Sequence, residues 1–514
     1  MFVQDSALLA VFREALPPEG VLSDATAIDQ QYRRNVTALE RRVPLVLRPS
    51  SEDEVRRIVG LANEHRIALY PFSTGKNWGL GSKLPVIDGC VLVDLSRMNR
   101  IVTVNDVFGY TIIEPGVTQT QLAAYLQDHH PGLTMNFTGS FGHTSIVGNV
   151  LERGDGAYAR VHDLLGVRGL LGNGKPFQVG GWWNAVGSSQ PSHYAKYTAG
   201  PDLSGLFTHS NVGIVTQMAF RLLHKPECRY IFWGVAADLN LECVVDTCAY
   251  LDHQGVINRE SVNMGYANRF VQAASSLHPE GEQRPDDSEV WNFYVLVTGT
   301  RRVTGAVIEE LQAAFKPLCL SLGAFCINEG HDPYAELPTF LHPLVQPLMG
   351  VPDTESIKAI YHLTSTPLPT NPLELDADQT SFGMKCSIPV IPPRGEYVRR
   401  AARIVAAVRI HYALQVKLSV FGDGRALITI HFRSDDAEQV QRAQQCEAAL
   451  WQAMAEAGFP PYRVSIDQMQ RLFALQPEFF ELVAQVKAVF DPNGILAPGR
   501  YSPLSTGHPG LRPD

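Results

Sequence analysis

Three glycine-rich segments, Pro71–Ser82, Gly139–Asn149 and Gly205–Thr216, constrain this chain more than any other feature. The first reads Pro71-Phe-Ser-Thr-Gly-Lys-Asn-Trp-Gly-Leu-Gly-Ser82 and follows directly on a short apolar strand. Its glycines alternate with Ser, Thr and Asn. Successive backbone N–H groups and hydroxyls can therefore converge on one anion, with Lys76 adding charge. The second segment runs on into Glu152-Arg-Gly-Asp-Gly156, and its small residues let the backbone approach a flat or anionic ligand closely. The third ends as a turn entering a strand. Each alone reads equally well as a surface turn that binds nothing; their order along one chain gives them weight.

The familiar nucleotide signatures are missing. Gly75-Lys76 and Gly174-Lys175 are not followed by Ser or Thr, so no P-loop is present. No G-x-G-x-x-G follows a strand, and H-E-x-x-H and G-x-S-x-G are also absent. A net charge of −9 without a Lys/Arg block argues against nucleic acid or an anionic membrane surface as partner. No apolar stretch reaches the ~18 residues of a membrane span. The N-terminal residues lack an export pattern, and the eight cysteines are scattered without metal spacing. A cytoplasmic setting with reduced thiols is expected.

Periodicity divides the chain. Ser50-Ser-Glu-Asp-Glu54 reads as an N-cap and acidic first turn opening an amphipathic helix over 52–65, with Val55, Ile58, Val59 and Ala62 at helical spacing. Short strands are predicted at 67–71, 90–95 and 111–114. Pro226-Glu-Cys228 marks a boundary. Beyond it, strands fit 229–236, 290–298, 417–421 and 426–432, and helices fit 241–255, 303–315, 396–412 and 435–457. The Pro-rich stretch 332–380 has no clean period and reads as irregular loop. No internal repeat is visible. The fold class is α+β, in two domains: 1–227 (core about 41–227) and 228–457, with 458–514 returning to the first. The second domain is expected to be a sheet with helices on one face.

With these segments in order, the chain resembles the vanillyl-alcohol oxidase / p-cresol methylhydroxylase family of flavoproteins from about residue 40 to 503. The matching text is Ser73–Gly81, Ile113-Glu-Pro-Gly-Val117, Ser145–Gly156, Gly205–Thr216, Pro461-Tyr-Arg463 and Asp491–Arg500. The resemblance implies a two-domain PCMH-type FAD-binding fold with an antiparallel-sheet cap that forms the substrate cavity. It places FAD against Ser73, Thr74, Gly75, Lys76, Asn77, Trp78 and Gly79, against Pro115 and Gly116, and against Ser140, Gly142, His143, Ser145, Gly148 and Asn149. Gly213, Ile214, Val215 and Arg500 complete that set. Family members oxidise para-substituted phenols, passing hydride to flavin N5. Ionising the phenol pushes electrons toward the reacting carbon, so the site must favour the phenolate with cations and O–H donors. Tyr462 and Arg463 match the residues that do so, and Arg500 matches a cation that supports reduced flavin.

The sequence also departs from the family. Leu80 stands where the family has a loop Tyr, and Ser140 where a carboxylate often sits. The paired His of the cap strand falls near Arg425 and Ala426. The segment 374–387, which in relatives often carries a covalent FAD link, holds no His or Tyr, and Met384 occupies the His position. FAD is therefore expected to be non-covalent, with His143 read as a polar loop residue. Trp182 and Trp183 read as packing and His209 as lining its loop. His431, on the strand with Leu427 and Thr429, either reaches the cavity or is an edge-strand histidine.

The expected function is an FAD-dependent oxidase or dehydrogenase of a small aromatic, para-substituted phenolic substrate, working as a homodimer. The alternatives are the same flavin chemistry on a non-phenolic specialised metabolite, or a flavin-binding protein that has lost catalysis. Retention of Tyr462, Arg463 and Arg500 argues against the last.

Overall fold

The computed structural model describes residues 5–138, 141–182, 193–197, 199–258, 262–267, 290–327, 332–338, part of 341–369, and 375–504. Ser140, Trp183 and Glu374 lie outside them. The chain forms two compact units. The first comprises 1–136, 141–224 and 465–514, and the second 137–140 and 225–464.

In the first unit, helix α1 (Glu52–His65) starts where Ser51 accepts a hydrogen bond from the Glu54 N–H and three acidic residues fill the first turn. It ends at Arg66 in the left-handed region. Val55, Ile58, Val59 and Ala62 are buried, as their helical spacing requires. They pack in a core with strands β1 (Leu69–Phe72) and β2 (Val91–Asp94). β2 runs parallel both to β1 and to Val46–Leu47. A second, antiparallel sheet contains β3 (Tyr110–Ile113), β4 (Leu164–Leu171) and β5 (Gly213–Arg221), with β5 between the other two.

The C-terminal segment closes this unit. After helix Pro477–Phe490, Leu496 bridges in parallel to Leu69, and the N–H of Ala497 donates to the Leu69 carbonyl. The turn is held by a buried ammonium. Lys487 Nζ donates to Asp491 Oδ2 at 2.5 Å, to the Leu496 carbonyl at 2.8 Å and to the Asn211 carbonyl at 2.5 Å. Asp491 in turn accepts from the N–H groups of Ile495 and Leu496. Burial pulls the Lys487 pKa down to about 8 against the opposing pull of Asp491.

The second unit is an eight-stranded antiparallel sheet. Its elements are β6 (Cys228–Ala237), α2 (Leu241–His253), β7 (Val262–Ala267), β8 (Val290–Gly299), α3 (Arg301–Phe315) and β9 (Ser321–Cys326). They are followed by β10 (Phe382–Pro389), α4 (Gly395–Tyr412), β11 (Gln415–Phe421), β12 (Ala426–Arg433), α5 (Ala437–Glu456) and β13 (Pro461–Arg463). Strand order is β9-β6-β8-β7-β11-β12-β10-β13. Each half is thus a βαββαβ motif, and the halves join through their second strands, β7 and β11. Where no internal repeat was expected, the topology is duplicated: the repetition lies in strand order. β10, within the segment read only as a cofactor-linking region, is a fully buried strand, so neither of its faces shows polar alternation. β13 pairs with β10, which is why the return to the first unit follows Val464 rather than residue 457.

Helices cover one face of the sheet. Phe232 and Phe293 meet Phe315 of α3 there. On the same face Lys385 of β10 pairs with Glu447 of α5 at 2.7 Å, with both side chains at 5% exposure or less. On the other face of the first half, Leu337, Leu341 and Val345 from the Pro-rich stretch pack on Ile231 and Phe325. Part of a stretch read as structureless loop is therefore core.

Breaking a buried ion pair by removing one partner leaves an uncompensated charge. Lys385→Met should destabilise the protein by about 3–5 kcal/mol, while Lys385→Met combined with Glu447→Leu should recover most of that loss, as read from urea denaturation midpoints.

Candidate functional site

In the first unit the glycine-rich segments interlock. The Ser145 N–H donates to Thr74 Oγ1 at 3.0 Å, and Ser145 Oγ donates to the Pro115 carbonyl at 2.6 Å while accepting from the Gly148 N–H. The Gly116 N–H donates to the Met98 carbonyl, and the Thr120 N–H to the Gly142 carbonyl. Two glycines are required by close approach. A Cβ on Gly148 would sit 2.2 Å from Ser73 Oγ, and one on Gly75, whose φ is +69°, would sit 2.3 Å from the Lys83 stem. Trp78 packs on Phe141 with ring centroids 5.1 Å apart, and Lys76 Nζ lies 5.8 Å from each ring.

Other residues on the expected cofactor list have structural partners. Asn149 Oδ1 accepts from Arg160, and Ile214 is buried in the core with α1. His143 is exposed and lies near Phe141. Gly79 has φ +79° and carries the turn into buried Leu80, whose carbonyl accepts from the Ile466 N–H. His209 stacks on Tyr501 at 4.7 Å, and its Nε2 is 3.0 Å from the Glu152 carbonyl.

Arg500 anchors the adjoining corner. It is buried, and its Nη2 donates to Glu152 Oε2 at 2.8 Å and to Tyr501 Oη at 3.2 Å. Tyr501 Oη donates to the same carboxylate oxygen. Burial alone would lower the Arg500 pKa; Glu152, Tyr501 and Tyr70 outweigh it and hold the guanidinium above its ordinary value. Its Nη1 is buried without a hydrogen-bond partner among the described residues. Sequence reading found Arg500 but not Glu152 as its partner, because nothing in the spacing links positions so far apart.

In the second unit, the sheet face away from the helices carries the other candidates. Tyr462 and Arg463 sit on β13, with Arg463 opposite Ile388 of β10. Arg425, at the start of the β12 hairpin, lies 5.6 Å over the Tyr462 ring and pairs with Asp423 at 2.5 Å. Burial lowers the Arg425 pKa, Tyr462 opposes that, and Arg463 adds to it, so all three groups share one corner. Cys386, pushed up to about 12 by burial, feels the Arg463 charge. His431 is buried inside the sheet, directly opposite Met384 and Gln415, so it is no edge residue. Its Nε2 is 2.8 Å from Thr429 Oγ1, and burial, then Lys417, hold its pKa down to about 3. Sequence reading missed Lys417 and Asp423; a lysine on an alternating strand looks like a solvated residue.

An FAD binding domain matches residues 43–180, and the C-terminal domain of FAD linked oxidases matches residues 395–501. The chain is 31% identical over 529 aligned residues to the 1'-carboxy-chondrochloren decarboxylase of Chondromyces crocatus, covering 96% of each protein. It is 26% identical to the 4-cresol dehydrogenase [hydroxylating] flavoprotein subunit of Pseudomonas putida, over 87% of this chain and 85% of that one. The crystal structure of p-cresol methylhydroxylase with substrate bound shares the fold, with a TM-score of 0.83 at 24% identity over 98% and 97% of the two chains. The 4-ethylphenol oxidase of Gulosibacter chungangensis does so too, at 0.83 and 21% over 98% of both.

The chain belongs to the vanillyl-alcohol oxidase / p-cresol methylhydroxylase family. It is an FAD-linked oxidoreductase with the PCMH-type FAD-binding fold and antiparallel sheets of that family. Among the described residues no helix is long and apolar enough to cross a membrane, and no group of His, Cys, Asp and Glu could hold a metal.

If the interlocked segments hold the family's cofactor, their spacing sets its uptake. Gly148→Ala should abolish FAD retention, because the new methyl displaces Ser73 Oγ. Adding Ser73→Ala removes that atom, leaving the Ser73 Cβ at an ordinary 3.4 Å, and should restore retention. Flavin absorbance per protein after gel filtration measures both.

Proposed function

We propose that this protein oxidises a small aromatic substrate, most simply a para-substituted phenol, whose acidic oxygen is held as the anion by Tyr462 and Arg463. One observation carries this reading: the phenol of Tyr462 and the guanidiniums of Arg463 and Arg425 share a corner in which Asp423 pairs with Arg425. Guanidinium and phenol donors gathered in one corner favour an ionised ligand oxygen.

The residues of the first unit fit FAD. Small residues and the φ +69° of Gly75 leave backbone open to a phosphate-bearing ligand, and the unpartnered Nη1 of Arg500 offers a buried donor. Ser73–Gly79, Pro115, Gly116, Gly142–Asn149 and the start of β5 would hold it, with Arg500 near its pyrimidine edge. FAD supplies the hydride acceptor, at N5. Tyr462 and Arg463 bind and orient the substrate's oxygen and stabilise the charge that activates its para carbon. Arg500, its orientation fixed by Glu152 and Tyr501, supports negative charge on the cofactor.

A second reading keeps this chemistry and changes the substrate to a carboxylated specialised metabolite. Leu80, apolar and buried in place of a third phenolate ligand, favours it. So does the 31% identical relative named as a decarboxylase.

Arg463→Ala removes a preorganised charge-assisted donor, a loss of ~3 kcal/mol or about a hundredfold in rate. The loss should appear in anaerobic flavin reduction by the substrate, with FAD content unchanged. Tyr462→Phe should cost less. A wild-type reduction rate in Arg463→Ala would overturn the phenolate site.

Attachment should be non-covalent, since 375–387 places only Met384 opposite His431 and offers no linking His or Tyr. Acid precipitation should release the yellow colour to the supernatant. Colour kept in the pellet would point to His143 or another residue outside that segment.

A further inference from the structure

Among the described residues of the second unit, several buried charges are paired. Lys385 has Glu447, Arg425 has Asp423 and Arg399 has Asp238. Lys417 of β11 is half-buried and makes no hydrogen bond or ion pair among the described residues. Burial lowers its hold on the proton, and no carboxylate offsets this. The cost of such a cation is relieved by a counter-ion, and no described residue supplies one.

Register shows what surrounds it. Lys417, Thr429 and Cys386 stand directly opposite one another across β11, β12 and β10. Gln415, His431 and Met384 form the next row. Lys385, one position from Cys386, points to α5, so these rows occupy the face away from α4 and α5. Asn292 reaches that face from β8, in the row of Gly265 and Ser419. His431 Nδ1 and Asn292 Oδ1 are both buried and unpartnered among the described residues. A cation, an imidazole nitrogen and an amide oxygen thus await ligand groups on the face that also carries Arg463.

We propose that Lys417 binds a carboxylate of the substrate, at the opposite end of the molecule from the oxygen held by Tyr462 and Arg463. The two residues are separated by three strand spacings and two residues along the strand, ~16 Å between backbones. Both side chains are long, so the gap between their charged ends suits a ring with a short carboxylated side chain. The proposal rests on the reading of Tyr462 and Arg463 given above, and its test separates the two.

Three probes are titrated into the FAD-loaded protein, with binding followed by calorimetry: 4-propylphenol, 3-phenylpropionate and 3-(4-hydroxyphenyl)propionate. Lys417→Met keeps the apolar stem and removes an unpaired charge, so the fold should be at least as stable. It should weaken both carboxylates about ten- to a hundredfold and leave 4-propylphenol unchanged. Lys417→Arg should keep most of the carboxylate affinity. Arg463→Ala should weaken the two phenols instead. Carboxylate affinities that do not change in Lys417→Met, or that fall no more than that of 4-propylphenol, overturn the Lys417 assignment. An unchanged 4-propylphenol affinity in Arg463→Ala overturns the phenolate reading alone. Failure of all three probes to bind the wild-type protein overturns both.

Discussion

The ammonium of Lys487 ties together the parts of the first unit that matter most. It joins the end of helix Pro477–Phe490, the turn at Asp491, the loop carrying Asn211 and the segment that pairs with β1. None of these has a regular ladder long enough to fix it alone. A buried amine with three oxygen acceptors is a rigid junction, since each unmet bond would cost its full desolvation. Arg500 emerges a few residues beyond it, after Ala497 and Gly499 at positive φ. Lys487 thus holds the turn from which Arg500 departs, while Glu152 and Tyr501 orient the guanidinium itself.

Much of the architecture was legible in the sequence, for identifiable reasons. Helix α1 showed itself through its cap, its acidic first turn and its apolar spacing. Strands such as β6 and β12 stood out as β-branched and aromatic runs between turns. β10 did not, because burial on both faces removes alternation and leaves Lys385 looking like a break in the run. The Pro-rich stretch hid its core residues for a different reason: Leu337, Leu341 and Val345 lie among Pro338, Pro343 and Pro347, which obscure the spacing.

Among the candidate residues, those legible in sequence were held in short local motifs: the glycine-rich turns, Tyr462-Arg463, and the Pro-Gly turn before Arg500. Their partners were not. Glu152 meets Arg500 across 348 residues. Lys417 meets Thr429 and Cys386 only through strand register, which depends on the whole sheet. The duplicated topology was hidden in the same way, since two βαββαβ halves can share a path while sharing almost no residues.

That duplication divides labour. In the first half, the face away from α2 and α3 is plugged by apolar side chains from the connection that follows β9. In the second half, the corresponding face is left to lysine, histidine, threonine and arginine. Among its described residues the connection contributes no strand to either half, and lengthening such a link costs little free energy. Its sequence can therefore drift, lengthen or shorten without shifting any register. An ancestral scaffold of this kind can acquire new chemical preferences by rewriting its plug while the sheet beneath stays as it was.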